Sequence, residues 1–199
     1  CTNFMYHNTH LCIKMCIFGK AKRRKMNTYL ETKDKAESLF MKSKTDSDQR
    51  FYLLVILALE TGARVSDLLN IKINDFRQEG ELTYLFYINK KGKKKQTQRI
   101  SEKTAFKVNA FMEDKESSFV FYNAKKGSLM SRITANRRCT ATFDFNFHNL
   151  RKIAGKNIAS QKGVIYASKF LGHSRVSTTD IYLGISADQF KKDMESVSI

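Results

Sequence analysis

The chain of 199 residues contains no proline, only nine glycines and only four cysteines. Without proline, breaks between helices and strands must come from glycine and from clusters of polar residues. The cysteines stand at positions 1, 12, 16 and 139, a distribution that makes no disulfide framework, so we expect a reducing compartment. We find no secretory signal or cleavage site in the first residues.

Long hydrophobic runs are also missing. The longest good candidate, Phe51–Leu59, stops at Glu60, far short of the roughly 20 apolar residues that a membrane helix needs. The overall hydrophobic content is nevertheless high: hydrophobic residues make up 42% of the chain, and 15 residues are Phe. This content excludes a disordered polycation. The composition therefore predicts a folded domain without a membrane span.

Acidic residues are scarce beside basic ones. The chain has 36 Lys and Arg against 19 Asp and Glu, which gives a formal net charge of +17. A folded chain with this excess indicates a polyanionic partner, and nucleic acid is favoured over a membrane surface. The alternative is a charge that only keeps the chain in solution.

Residues 1–31 differ from the rest in their weak periodicity and in a basic run over 20–25. We predict a basic linker or the remnant of an upstream DNA-binding domain there, and one domain over 32–199. The segment also holds two His and two Cys whose spacing fits no common zinc pattern, so we expect no metal site. These residues are His7, His10, Cys12 and Cys16.

Helical periodicity begins near Thr32, which we expect to cap a first helix with apolar residues recurring between Ala36 and Phe40. The run Phe51–Leu59 is apolar nearly all round, which predicts a buried central helix. Gly62 is expected to end that helix in a left-handed conformation, and a short helix should follow over 63–70.

Strand chemistry follows. The sequence LTYLFYI at 82–88 is rich in β-branched and aromatic residues, and QTQRI at 96–100 comes after a turn with one Gly and several Lys. This pattern predicts a hairpin with a cationic tip. Helices are expected over 102–114 and 128–138, and again from near His148 with Asn146 as cap. The predicted fold class is α+β, mainly helical, with a small antiparallel sheet.

Three short motifs carry residues that can do chemistry. In TGARVSD, Arg64 follows a helix-stopping Gly where free N–H groups favour an anion, and Asp67 lies one turn on, where it can hold the guanidinium. In HNLR, His148 and Arg151 are three residues apart and share one helix face. Each motif alone is weak, because such pairs are common on protein surfaces.

The third motif is LGHSRVSTTDIY, in which a Gly exposes His173 and Tyr182 follows nine residues later. A capping-box pattern at 177–180 opens a helix that can bring this Tyr back to the same pocket. Tyr166 is the rival nucleophile, but it lies in an amphipathic stretch that favours packing.

In this order, Arg64, a lysine-rich hairpin, HNLR and LGHSRVSTTDIY resemble the active-site series of the tyrosine recombinase (phage integrase) family. The resemblance covers residues 32–199 and implies the family's mainly helical catalytic fold with a small antiparallel sheet. The implied activity is site-specific cleavage and rejoining of DNA strands through a 3′-phosphotyrosyl intermediate, without metal, cofactor or ATP. The alternatives are a type IB topoisomerase-like DNA relaxing enzyme and a DNA-binding relative without catalysis.

The resemblance implies a role for each motif residue. Tyr182 is the implied nucleophile, and Arg64 and Arg151 clamp the non-bridging phosphate oxygens through their forked donors. His148 is implied as proton acceptor or phosphate donor, and His173 as a hydrogen-bond donor to the scissile phosphate. A phenol with a pKa of about 10 needs such a base and a cationic pocket to attack well.

A hairpin lysine is implied as the proton donor to the leaving 5′ oxygen. Lys90 and Lys91 both precede Gly92, and a K-x-G turn favours Lys90 whereas a K-G turn favours Lys91, so both remain candidates. Other hairpin lysines and three arginines of one predicted helix are candidate DNA contacts, with a solvated basic face as the alternative for the arginines. These residues are Lys93, Lys94, Lys95, Arg132, Arg137 and Arg138.

The implied partner is double-stranded DNA, on which four protomers assemble, whereas the free chain can be a monomer. Residues 186–199 carry an amphipathic pattern of Phe190, Met194 and Val197 that in relatives docks on the neighbouring subunit. Packing within the same chain is the alternative. We expect a DNA-associated, cytoplasmic protein with no membrane partner.

Overall fold

The computed structural model describes residues 28–90, 93–172 and 187–197. Over these ranges the chain is mainly helical with two small antiparallel sheets, which confirms the predicted α+β class. The helices are α1 Tyr29–Lys42, α2 Asp46–Thr61, α3 Val65–Leu68, α4 Glu102–Met112, α5 Arg132–Phe143, α6 His148–Lys162, α7 Val164–Phe170 and α8 Ala187–Glu195. The strands are β1 Phe76–Glu79, β2 Leu82–Asn89, β3 Lys94–Ile100, β4 Tyr122–Asn123 and β5 Ser128–Leu129. None of the described helices has the length and apolar character to cross a membrane.

The first helix begins earlier than predicted. Thr28, not Thr32, caps α1: its hydroxyl accepts from the N–H of Glu31 at 3.2 Å, and its own N–H donates to the Glu31 carboxylate at 3.0 Å. This reciprocal pair satisfies two free donors and fixes the start of the helix. Thr32 lies inside the helix, where its hydroxyl donates to the Thr28 carbonyl at 2.8 Å. Residues 1–27, with the His and Cys considered above, lie outside the described residues.

Helix α2 is the centre of the main core, as its apolar sequence predicts. Every residue from Leu53 to Thr61 is buried. Glu60 is only 1% exposed, and its carboxylate accepts hydrogen bonds from the hydroxyls of Ser101 and Thr104 at 2.7 and 2.8 Å. It also pairs with Lys33 at 2.9 Å. These contacts join α2 to α1 and to the start of α4, and they compensate the burial of the charge.

The predicted hairpin is present as β2 and β3, paired antiparallel from Thr83 opposite Ile100 to Asn89 opposite Lys94. A third strand, β1, pairs with the start of β2 across a tight turn in which Gly80 takes φ +61°. Strand β1 was not predicted, because three of its four residues are polar and exposed and form no strand pattern. The hairpin tip at 91–92 lies outside the described residues.

The helix expected over 128–138 is wrong in its first part. Ser128–Leu129 is strand β5, which pairs with β4, and α5 begins only at Arg132. Its cap is Ser131, whose hydroxyl accepts from the N–H of Thr134 at 3.0 Å. Gly127, at φ +61°, lies in the turn between β4 and β5, so the residues after it pair as a strand before the helix starts.

The last described elements form a second, smaller core. Helix α6 begins at His148 as predicted, but Phe147 rather than Asn146 holds the cap position, and it caps without a side-chain hydrogen bond. Met194 and Val197 are buried against α6 and α7, so this part of the C-terminal segment packs within its own chain. That is the packing within the same chain considered above; the side chain of Phe190 lies outside the described part, and docking on a neighbouring subunit stays a prediction.

Candidate active site

Arg64 is positioned by the turn that ends α2. Gly62 takes φ +59° there, and a Cβ on it would lie 2.4 Å from the ring of Phe170, so only glycine fits. Arg64 follows in an extended conformation as the residue that precedes α3. Its Nη1 atom is buried and has no hydrogen-bond partner among the described residues. Because an unpaired buried donor is costly, this atom is suited to an anionic ligand.

Arg151 is held in place by the backbone. It lies in the first turn of α6, where it is 7% exposed, and its Nη1 donates to the Gly62 carbonyl at 2.6 Å. Its Nη2 donates to the Leu171 carbonyl at the end of α7. The guanidinium therefore joins the turn before Arg64 to the turn before residue 173, and it is fixed in orientation before any ligand binds.

Three of the predicted catalytic residues within the described chain meet in one cavity. Arg64, His148 and Arg151 line a cavity of about 510 Å³. Two further predicted residues, Arg132 and Arg137 of α5, line it as well. The cavity wall thus gathers four arginines and one histidine from α5, α6 and the start of α3. Within the described ranges, no group of three or more His, Cys, Asp or Glu is arranged to hold a metal ion.

Burial and neighbouring positive charges lower the pKa values of two residues in the cavity, Arg151 and His148. Burial lowers the pKa of Arg151, and the charge of Arg64 lowers it further. Burial also lowers the pKa of His148, with further lowering from the positive charges of Lys152 and Arg151. The imidazole is therefore neutral at pH 7 and can accept a proton. A bound anion would relieve the repulsion among these groups.

Asp67 joins the hairpin to α3. We expected its carboxylate to hold Arg64, but within the described chain the two form no ion pair, and Oδ1 of Asp67 instead accepts from the N–H of Lys90 at 3.2 Å. Burial and the Asp67 charge raise the pKa of Tyr87 to about 12, while Arg151 and Arg64 oppose the rise. Tyr87 thus lies beside the site, which a strand pattern alone could not indicate.

The lysine turn starts next to this site. Lys90 is the last described residue before the gap, and its side chain is exposed. Lys91 lies outside the described residues, so the choice between Lys90 and Lys91 stays a prediction. Lys93, at φ +50°, Lys94 and Lys95 are exposed on the other arm of the hairpin.

His173 and Tyr182 lie outside the described residues, but the chain is described as far as Gly172, the residue before His173. Leu171 contacts Arg151 through its carbonyl, and Gly172 takes φ +60° where a Cβ would lie 2.8 Å from Oε1 of Gln96. The chain is therefore beside Arg151 at the last described residue before position 173.

The rival nucleophile Tyr166 makes contacts that belong to the fold and not to the cavity. Its hydroxyl donates to the carboxylate of Asp193, and this hydrogen bond raises the pKa of the phenol. The ring packs against the second core and does not line the cavity. These contacts favour the packing interpretation of Tyr166.

The three predicted arginines of α5 do not act alike. Arg132 and Arg137 line the cavity, whereas the guanidinium of Arg138 donates to the Ser47 carbonyl at 2.9 Å and to the carboxylate of Asp48. Arg138 therefore fastens α5 to the start of α2. The DNA contact predicted for each of these three arginines stays a prediction.

The family comparison bears directly on this cavity. The model of the phage integrase family matches residues 30–188, which is most of the chain and includes positions 64, 148, 151, 173 and 182. This chain belongs to the phage integrase family. The family assignment made from the motifs is thereby confirmed. A search of the curated proteins finds no match to the chain.

Solved structures of this family share the fold. The XerH site-specific recombinase bound to difH substrate, in a pre-cleavage complex, has a TM-score of 0.62 and 18% identity over 85% of this chain and 53% of its own. The Tn1549 transposon integrase in complex with circular intermediate DNA has a TM-score of 0.57 and 14% identity, and the match covers 84% of this chain and 64% of the integrase chain. A lambda integrase tetramer bound to a Holliday junction has a TM-score of 0.56 and 18% identity, and the match covers 76% of this chain and 47% of the integrase chain. The chain has the tyrosine recombinase catalytic fold and spans about half to two thirds of the length of these structures.

Proposed function

We propose that this phage integrase family member is a site-specific DNA recombinase that cleaves and rejoins DNA strands through a 3′-phosphotyrosyl intermediate. The observation that carries the proposal is the cavity shared by Arg64, His148 and Arg151, with a buried guanidinium nitrogen that has no partner among the described residues. A phosphodiester fits this site because it is an anion whose oxygens accept several hydrogen bonds at once.

The two arginines stabilise the charge that develops on phosphorus. Attack on a phosphodiester concentrates negative charge on the non-bridging oxygens, and forked N–H donors bind those oxygens in two places. Arg151 uses one N–H on each terminal nitrogen to bind a carbonyl, which leaves other donors of its guanidinium for the phosphate. Because its orientation is already fixed, little reorganisation is needed at the moment of reaction.

The proposed chemistry moves one proton at each end. The phenolic oxygen of Tyr182 forms a bond to phosphorus while the bond from phosphorus to the 5′ oxygen breaks. Neutral His148 accepts the phenolic proton, and a hairpin lysine, Lys90 or Lys91, donates a proton to the departing 5′ oxygen. Rejoining reverses these steps with the 5′ hydroxyl of another strand, so the bond energy stays in the phosphotyrosine and no ATP is consumed.

The proposed substrate is double-stranded DNA, and four protomers are proposed to assemble on it. The XerH recombinase structure is a complex with its difH substrate, and the lambda integrase structure is a tetramer bound to a Holliday junction. A net charge of +17 supports a polyanionic partner for this chain as well. Burial of Met194 and Val197 within the chain supports a monomer in the absence of DNA.

The proposal is tested with Tyr182→Phe on nicked duplexes that carry the end sequences of mobile elements. The nick releases a short fragment after cleavage, so a covalent protein–DNA product accumulates. Wild-type protein should be joined to the 3′ end of the broken strand, and the other end should carry a free 5′ hydroxyl. Tyr182→Phe should bind the duplex with unchanged affinity and form no adduct, because only the attacking oxygen is lost.

The matched control is Tyr166→Phe, which removes the rival hydroxyl and should leave adduct formation intact. Adducts that survive Tyr182→Phe would assign the attack to another residue. DNA binding without adducts in wild type would favour the relative without catalysis. Relaxation of a supercoiled plasmid that lacks any mobile-element sequence would favour the topoisomerase-like alternative.

A further inference from the structure

The outer face of α5 holds one large apolar side chain among polar ones. Arg132, Ile133, Asn136 and Arg137 line the cavity, and their spacing places them on one helix face. Asn136 has an internal role, because its Oδ1 accepts from the N–H of Phe147 at 3.0 Å. Ile133 is 78% exposed, so its side chain packs on almost nothing.

The fold gives no reason for isoleucine at position 133. A β-branched residue is a weaker helix former than Ala or Arg, so neither helix propensity nor packing favours it. Leu30, Phe106 and Val164 are similarly exposed but do not line this cavity, and single exposed apolar residues of that kind are ordinary. Ile133 differs because it stands at the proposed DNA site.

The groups around Ile133 are suited to the phosphates on either side of a base pair. Helix α5 begins with Arg132 and has no acidic residue in its first turn, whereas α1, α2 and α4 each have one there. An arginine at this end works against the helix dipole unless an anion is bound nearby. Arg137 adds a second cation one turn further along the same face.

A helix of this kind can enter the major groove, where thymine presents a methyl group and the other bases do not. If Arg132 and Arg137 bind the DNA phosphate backbone, Ile133 is the large apolar side chain on the same face of α5 that would meet the base edges. We propose that Ile133 contacts the C5-methyl group of a thymine near the cleavage site and makes the chain selective for thymine at that position. The inference rests on the proposed function because it requires DNA at the cavity.

The test uses the full chain and two libraries of duplexes with a randomised 30-bp centre, one made with thymidine and the other with deoxyuridine. Wild-type protein should enrich thymine at one position of the first library and show no preference there in the second. On the enriched duplex, a single thymidine-to-deoxyuridine change should weaken binding by about fourfold, the effect of one methyl group removed from water. Fluorescence anisotropy measures this ratio.

Ile133→Ala should bind the thymidine and deoxyuridine duplexes equally well. The variant is expected to fold normally, because the side chain is exposed and alanine favours the helix. The control is Val164→Ala, which shortens an equally exposed side chain (77%) on α7 and should keep the full methyl effect.

The inference is overturned if wild type distinguishes thymine from uracil at no position, or if Ile133→Ala still distinguishes them. These readouts measure binding and do not depend on strand cleavage. A methyl effect without a Tyr182 adduct would therefore sustain this inference and defeat the proposed chemistry. Adducts without a methyl effect would do the reverse, and absence of all DNA binding would overturn both.

Discussion

Two arginines of the same cavity have opposite local environments. Arg151 donates to two backbone carbonyls, Gly62 and Leu171, and so belongs to the fold as much as to the site. Arg64 has a buried Nη1 atom without a partner among the described residues, so this donor forms no hydrogen bond that stabilises the described fold. The same side-chain chemistry therefore predicts different consequences for stability.

Arg151→Ala should lower the free energy of unfolding by about 2–4 kcal/mol, because two carbonyls lose a charged donor. Arg64→Ala should lower it by less than about 1 kcal/mol, since no hydrogen bond within the described chain is lost and a repelling charge is removed. Urea unfolding at pH 7 measures both values. Equal losses in the two variants would contradict this division of roles.

At the scale of elements, the site depends on close contact between two turns. Gly62 at the end of α2 abuts the ring of Phe170 at the end of α7, and Arg151 bonds to the backbone of both turns. Residues far apart in sequence are thereby brought to one cavity. A side chain at position 62 would separate the turns and disturb the cavity.

Gly62→Ala should therefore lower the free energy of unfolding more than Gly80→Ala. Both glycines have φ near +60°, so both variants incur the left-handed backbone strain of about 1–2 kcal/mol. Only Gly62→Ala also places a Cβ 2.4 Å from Phe170, which adds about 1–3 kcal/mol of overpacking. Thermal and urea unfolding of the two variants measure the difference in the free energy of unfolding that the clash with Phe170 causes. Equal losses in the two variants would show that the close contact between Gly62 and Phe170 is not required.

Elements with strong local patterns were predictable. The apolar run of α2 and the β-branched and aromatic run of β2 could be assigned from their residue types, their lengths and the glycines that flank them. The start of α5 and strand β1 were not predictable, because the mixed polar and apolar residues at 76–79 and 128–131 suit turns, strands and helix ends alike. At these positions a cap hydrogen bond and pairing with a neighbouring strand decided the outcome.

For the molecule as a whole, the described ion pairs neutralise positive charges outside the cavity and not those of the cavity arginines. Carboxylates neutralise cations in six described ion pairs away from the cavity, among them Lys33–Glu60 and Arg138–Asp48. In the described part of the chain, none of the four cavity arginines belongs to such a pair. Carboxylates of the described chain therefore leave these four charges without an ion pair, which favours an anion at the proposed DNA site.

DNA affinity should fall steeply with salt, by about 10³–10⁵ between 50 and 200 mM if roughly 6–10 phosphates are contacted. Arg132→Gln with Arg137→Gln should reduce the slope of log K against log salt by about 2, because two phosphate contacts are lost. Arg138→Gln, on the same helix but paired with Asp48, should leave the slope unchanged. Anisotropy titrations on a 40-bp duplex measure all three, and an equal reduction for Arg138→Gln would refute the assignment of surfaces.

The sequence alone determined the family, the hairpin, the central helix and the identity of the motif residues, because these depend on residue type and short spacing. Tertiary structure decided which charges are used internally and which are available. Asp67 bonds to Lys90 instead of Arg64, Arg138 bonds to α2, and Ile133 faces the cavity. Such choices depend on distances between elements remote in the chain, which are set by how the cores pack.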